Sequence, residues 1–186
     1  MTLEPTPVGS QPSEYAVRAW KDRPYGLTSR LRVAAAHNGE ALFFHLSWQD
    51  DTRDDAIADT DRFTDAAAVL FPVRLDAPLQ AMGSPEQPVN AWYWRPDLES
   101  PLSVTATGLG TTVRDTNGSL AAAAAYGEGG WQVVISRPFA VEGDAAVPLR
   151  RGITRKVAFA VWQGSNQERA GIKAVTLEWQ PLEIEE

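Results

Sequence analysis

Apart from Met1, Met82 is the only methionine of this 186-residue chain; it lies in AMGSPEQPVNAWYW (81–94). The loop around it holds Gly83, Pro85 and Pro88, a strand begins at Val89, and Trp92, Tyr93 and Trp94 follow closely. A thioether on such a rim has two chemistries open to it. It can fill a gap in an apolar core, the usual work of methionine, or it can be a soft axial ligand to a haem iron. Ninety-one positions downstream, in ERAGIKAVTLEW, Lys173 opens a strand after Gly171. Lysine ligates only as the free amine, a form that burial favours by lowering its pKa. Ile172 on one side and Ala174-Val175 on the other are consistent with partial burial; the alternative is a solvated ammonium at a strand end.

Other side chains with chemical potential form weaker sets. The two histidines, His37 and His45, flank the Asn38-Gly39 turn, where they point to solvent or to a core partner more readily than to a shared metal. No GxSxG elbow accompanies them, and the glycines form neither a phosphate-binding loop nor a strand–GxGxxG–helix unit. Asp50-Asp51 and Asp54-Asp55 are adjacent pairs, and adjacent strand residues face opposite ways, so neither suits acid/base work. The acidic run DDTRDDAIADTDRFTD (50–65) lacks the glycine and terminal glutamate of an EF-hand and reads as a solvated loop. Trp92 and Trp94 share one face of their strand with Asn90 in register. Aligned tryptophans on a β-sandwich also suit sugar stacking, so a carbohydrate-binding module with exposed tryptophans is the second functional reading, against core packing.

Composition narrows the classes. The net charge is −7 and the pI about 4.9, which disfavours nucleic acid and anionic membrane surfaces as partners. The absence of cysteine excludes disulfides, thiolate zinc, iron–sulfur clusters and covalent CxxCH haem. No apolar run approaches the roughly 20 residues of a membrane-spanning helix. MTLEPTPVGSQPSEY has neither the basic nor the apolar region of a signal peptide.

The elements that must position these residues read as short strands: Tyr15–Trp20, Arg30–His37, Ala41–Gln49, Ala66–Val73, Val89–Trp94, Leu102–Thr107, Ala121–Tyr126, Trp131–Arg137, Lys156–Gln163 and Lys173–Gln180. Turns are expected at Asn38-Gly39, Arg95-Pro96-Asp97 and Asn117-Gly118, and a long loop at Phe139–Leu149. About ten strands with no long helix pattern predict an all-β chain, an antiparallel β-sandwich with long loops enclosing a pocket. Residues 1–13 read as an extended tail and 14–186 as a single domain.

The succession FTDAAAVLFPV (63–73), AMGSPEQPVNAWYW (81–94), GEGGWQVVISRPF (127–139) and VAFAVWQGSNQERAGIKAVTLEW (157–179) resembles the haem b subunit of type II DMSO-reductase-family molybdoenzymes. The gamma subunit of ethylbenzene dehydrogenase represents that family; dimethylsulfide dehydrogenase, selenate reductase and chlorate reductase have similar subunits. The likeness runs from about Tyr15 to Trp179. It implies one non-covalent haem b per chain, its iron ligated by a methionine and a lysine that match Met82 and Lys173. Hexacoordinate iron leaves no position for substrate, so the implied role is a one-electron relay and not catalysis. The implied partners are a molybdopterin catalytic subunit, an iron–sulfur subunit and an external carrier such as a cytochrome c. The family's subunits are usually exported, which implies the periplasm. Haem propionates need cationic or hydrogen-bonding partners; Arg95, Arg169 and Asn90 stand near enough in sequence, and Trp92 counts among the expected haem contacts.

Overall fold

The computed structural model describes residues 1–57, 62–74, 76–115, 119–141 and 147–186. Two antiparallel sheets face one another. The smaller has the order β2 (Arg32–His37), β3 (Ala41–Gln49), β9 (Gly130–Pro138), β8 (Ala121–Gly127). The larger runs β1 (Glu4–Pro5), β11 (Ala174–Val175), β10 (Ile153–Trp162), β4 (Ala66–Pro72), β5 (Val89–Trp94), β6 (Leu102–Ala106), β7 (Thr112–Asp115), with β12 (Gln180–Ile184) also paired to β10. This is the expected all-β sandwich.

Period-two alternation builds the inner core. Leu42, Phe44, Leu46 and Trp48 of β3 meet Val69 and Phe71 of β4, Trp92 and Trp94 of β5, and Phe159 of β10. Phe44 makes edge contacts with Phe71, Trp92 and Phe159 at ring separations of 6.0, 6.0 and 6.1 Å. Burying each such ring contributes on the order of 2 kcal/mol or more.

The larger sheet is apolar on its outer face too. Ala66, Ala68 and Leu70 of β4, Ala91 of β5 and Ala158 and Ala160 of β10 join Leu79, Trp162 and Val175 in a second cluster. Every residue of β4 is buried for this reason. Something must cover that face, and the loops around residues 77–88 and 163–179 do so; Met82 comes from one and Lys173 from the other.

Three expectations need correction. Tyr15–Trp20 is not a strand: Glu14–Trp20 is a helix, α1, because the Ser13 hydroxyl accepts from Ala16 N at 3.4 Å and caps it. Lys173–Gln180 is not one strand. Thr176 leaves the ladder after Val175, its hydroxyl accepting from Phe159 N at 3.1 Å, and pairing resumes only in β12. The 50–65 run is not solvated throughout, since Asp50 and Asp65 at its two ends are buried. Residues 1–13 are docked and interrupted by a 3-10 turn at Val8–Ser10: β1 adds to β11, Leu3 and Thr6 are buried, and Thr6 N donates to Lys173 O at 3.0 Å. The expected turn at Asn117-Gly118 and part of the Phe139–Leu149 loop lie outside the described residues.

Candidate functional site

Met82 is placed by a tight loop. Its N–H donates to Leu79 O at 2.9 Å, and its carbonyl accepts from Gly108 N at 3.1 Å, tying the loop to the turn after β6. Met82 itself has φ of +56°, a conformation that side chains other than glycine adopt at a cost. Gly83 follows with φ of +88°, where a Cβ would stand 2.8 Å from Ala106 O; only glycine fits there. The chain thereby folds back under Met82 and lays its side chain on the outer face of the larger sheet.

Lys173 immediately precedes β11, on the outward side of the alternation that sends Ala174 into the inner core. Its carbonyl is held by Thr6 N and by the Thr6 hydroxyl, the latter at 3.2 Å. Upstream, Ala170 has φ of +52°, its carbonyl accepts from Trp162 Nε1 at 3.0 Å, and the Gly171 carbonyl accepts from Gln11 Nε2 at 3.1 Å. Both donor residues thus arrive on backbone with a left-handed residue, held by explicit hydrogen bonds. Glu168 anchors the same loop. Buried, it accepts from Gly26 N at 2.7 Å, Leu27 N at 3.2 Å, Asn166 Nδ2 at 3.0 Å and Gln163 N at 3.1 Å.

The two donor atoms meet: Lys173 Nζ lies 3.5 Å from Met82 Sδ. Lys173 is only 3% exposed, and no carboxylate among the described residues forms an ion pair with it. Burial alone lowers its pKa from 10.5 to about 8, so the free amine is accessible near neutral pH. The Trp162 ring stands 5.1 Å from Nζ and packs on Tyr93 at 5.3 Å. Beside the pair opens a cavity of about 310 Å³, walled by Ala91, Tyr93, Val104, Ala106 and Trp162 and rimmed by Gly108 and Arg114. That volume is within the roughly 300–1,000 Å³ of small-molecule sites. A soft sulfur, an amine that burial brings closer to its free form and an apolar slot are a donor set that would fit a haem.

The other expected site residues fall elsewhere. Trp92 and Asn90 lie on the inner face of β5, opposite to the face that carries Ala91 and Tyr93 into the cavity. Trp92 packs at 4.7 Å on Phe71. The Asn90 amide donates to the Ser103 and Thr105 hydroxyls at 3.0 and 3.2 Å. One residue of strand alternation separates them from the site. Arg95 is engaged by Asp97 through two hydrogen bonds, at 2.8 and 2.6 Å. Arg169 is exposed, its guanidinium 4.3 Å over the Phe63 ring. The cavity walls that the sequence did not flag are Tyr93, Trp162 and Arg114. His37 faces the inner side and His45 the outer side of the smaller sheet, so they share no ligand.

A buried carboxyl cluster lies apart from this cavity. Asp65 Oδ2 accepts from Trp131 Nε1 at 2.9 Å and from Asp54 N at 3.0 Å, and Oδ1 accepts from Gly164 N at 2.9 Å. Desolvation, aided by the nearby Asp50 charge, raises its pKa from 3.8 to about 7.

A sequence profile described as ethylbenzene dehydrogenase matches residues 10–121 and 110–174. The gamma subunit of chlorate reductase from Ideonella dechloratans is 41% identical over 156 residues, covering 83% of this chain and 65% of that one. The gamma subunit of dimethylsulfide dehydrogenase from Rhodovulum sulfidophilum is 40% identical over 156 residues, covering 80% and 58%. A Haloferax mediterranei protein, provisionally described as a respiratory nitrate reductase haem subunit, is 41% identical over 150 residues, covering 80% and 54%. The chain thus spans between 54% and 65% of the length of these relatives. Among solved structures, a Bacteroides uniformis protein provisionally described as carbohydrate-binding aligns with a TM-score of 0.50 at 12% identity, over 88% of this chain and 77% of that one. At that identity it shows likeness of fold alone.

Proposed function

The chain belongs to the ethylbenzene dehydrogenase family, and on that premise we propose that it is the haem-binding, electron-transfer subunit of a molybdenum oxidoreductase complex, with Met82 and Lys173 as the axial ligands of one haem b. The observation that carries this reading is the 3.5 Å approach of Lys173 Nζ to Met82 Sδ, buried and with no ion-pair partner for the amine among the described residues. Relatives described as gamma subunits of chlorate reductase and dimethylsulfide dehydrogenase, and as a haem subunit, support it.

Bound there, the haem would supply a one-electron couple. The chain's residues supply the rest. Burial keeps the Lys173 amine ready to lose its proton, and the left-handed loop at Met82 aims the thioether. Trp162 and Tyr93 keep water from the amine. With both axial positions taken by protein, the subunit relays electrons and does not bind substrate. The partners proposed are a molybdopterin catalytic subunit, an iron–sulfur subunit and an external carrier such as a cytochrome c. The proposed compartment is the periplasm, by family likeness; no described helix is long and apolar enough to cross a membrane.

The carbohydrate-binding reading loses its platform. Trp92 and Trp94, the pair expected to stack on a sugar, are buried, as are Trp20, Trp48, Trp131 and Trp162; Trp179 alone is half-buried, so no aligned pair of exposed tryptophans forms a platform. The decisive experiment is to reconstitute the purified chain with haem b and record its visible spectrum. A low-spin, six-coordinate spectrum is expected for the parent. Met82→Ala should open one axial position and let the reduced protein bind carbon monoxide. A chain that takes up no haem overturns the reading.

A further inference from the structure

We propose that Arg114 binds a carboxylate on the periphery of the ligand held between Met82 and Lys173, and so fixes that ligand's rotational orientation in the cavity. The proposal rests on the reading of this cavity as a haem site and names the residue that meets the anionic edge.

Among the described residues only two charged side chains line the cavity, and both are cationic: Lys173 and Arg114. They stand at opposite ends of it. Lys173 is buried beside β11, whereas Arg114 is an exposed residue of β7, the far edge strand of the same sheet. Between them the cavity wall is mostly aromatic and apolar: Trp162, Tyr93, Ala91, Val104 and Ala106 line it, and Val104 pairs with Arg114 across β6 and β7. The guanidinium therefore stands at the exposed rim of an apolar cavity that Met82 and Lys173 line from its buried side. Such a gradient suits a flat apolar ligand with its acidic edge at the rim.

The arginines expected from sequence are already occupied, Arg95 by Asp97 and Arg169 by the Phe63 ring. No carboxylate among the described residues forms an ion pair with Arg114. Gly108 and Gly110, which line the same rim, put no side chain in front of it.

The test compares the parent, Arg114→Gln and Arg114→Lys, each loaded with haem b or with haem b dimethyl ester, whose carboxylates are blocked. The readout is the rate of ligand transfer to a large excess of apomyoglobin. With haem b, Arg114→Gln is expected to release about 3- to 10-fold faster than the parent, the scale of one partly exposed charged hydrogen bond. The parent should release the ester faster by a similar factor. Arg114→Gln should not change the ester rate, and Arg114→Lys should recover part of the loss. If Arg114→Gln matches the parent with haem b, or speeds release of both ligands equally, the proposal is overturned while the haem reading stands. If the parent retains neither ligand, the haem reading fails and this proposal with it.

Discussion

Lys173 Nζ lies 3.5 Å from Met82 Sδ, across ninety-one residues of chain, with no ion-pair partner for the amine among the described residues. A buried ammonium without a counter-charge costs stability, because desolvation is not offset by pairing. The ligand-free protein thus carries a locally unfavourable arrangement, held in place by hydrogen bonds from Thr6 and Gln11 and by the Glu168 anchor.

Replacing Lys173 with methionine should raise the stability of the ligand-free protein. The substitution keeps an unbranched side chain of similar length and removes the desolvation penalty, for a gain on the order of 1 kcal/mol at pH 7. The haem-loaded variant should show a higher midpoint potential, since a thioether replaces an amine and favours ferrous iron. Thermal denaturation of the ligand-free proteins checks the first part; a lower melting temperature in Lys173→Met would show that the amine has a structural partner.

Ligand binding should depend on pH through the same amine. Burial lowers the Lys173 pKa from 10.5 to about 8. Only the free base ligates, so affinity should climb about tenfold per pH unit below pH 8 and level off above it. The ligand-free fold follows the same sign. Between about pH 8 and 10.5 the unfolded chain binds the proton that the native state has released, so this group's contribution to stability rises with pH there. Haem-binding isotherms from pH 6 to 9 test it, with Lys173→Met as the variant that should lose the slope.

How much of this was legible in the sequence follows from period and from chain distance. Ala41–Gln49 and Val89–Trp94 were read with their observed bounds, because alternation, an Asn-Gly turn and bulky β-formers agree there. Met82 and Lys173 were legible as a pair only through a resemblance in motif order; no local rule joins residues that far apart. The cavity wall was misread by one residue. In β5 five of six positions are buried, so VNAWYW carries no polar face to mark which side is which. The sequence points to the inner side, with Asn90 and Trp92, whereas the cavity lies on the outer side with Ala91 and Tyr93. Arg114 was invisible because TVRD is a four-residue edge strand, exposed or half-exposed throughout, whose importance comes only from its neighbours. The α1 helix was missed because one seven-residue segment holds too few turns to show a 3.6-residue period against its tyrosine, valine and tryptophan.

Glu168 should matter to the ligand site without touching it. Its carboxylate satisfies three backbone N–H groups, of Gly26, Leu27 and Gln163, and ties the loop before Lys173 to the segment after α1. Glu168→Ala leaves those buried donors unmet, at about 1–3 kcal/mol each where water cannot reach them. Urea denaturation should show a loss of about 3 kcal/mol or more, and haem release should quicken while the axial ligands stay the same by spectrum. A loss below about 1 kcal/mol would mean that water replaces the carboxylate.

The carboxyl cluster at the sheet end supplies a second pH dependence, of opposite sign to that of Lys173. Asp65 is fully buried, and desolvation first, then the Asp50 charge, raises its pKa from 3.8 to about 7. The native state keeps this proton while the unfolded chain gives it up from about pH 4. The group's contribution is therefore complete below about pH 4 and is lost as pH rises towards 7. Asp65→Asn removes the titration. Its single carbonyl oxygen cannot replace both carboxyl oxygens, so its amide NH2 faces an N–H donor, that of Gly164 when the oxygen keeps Trp131 and Asp54, and the variant should be less stable at every pH by roughly 1–3 kcal/mol. The diagnostic quantity is the slope: melting temperature against pH from 4 to 7 should fall in the parent and run flatter in Asp65→Asn. Parallel curves would place the titrating proton on another carboxyl group and remove Asp65 from this role.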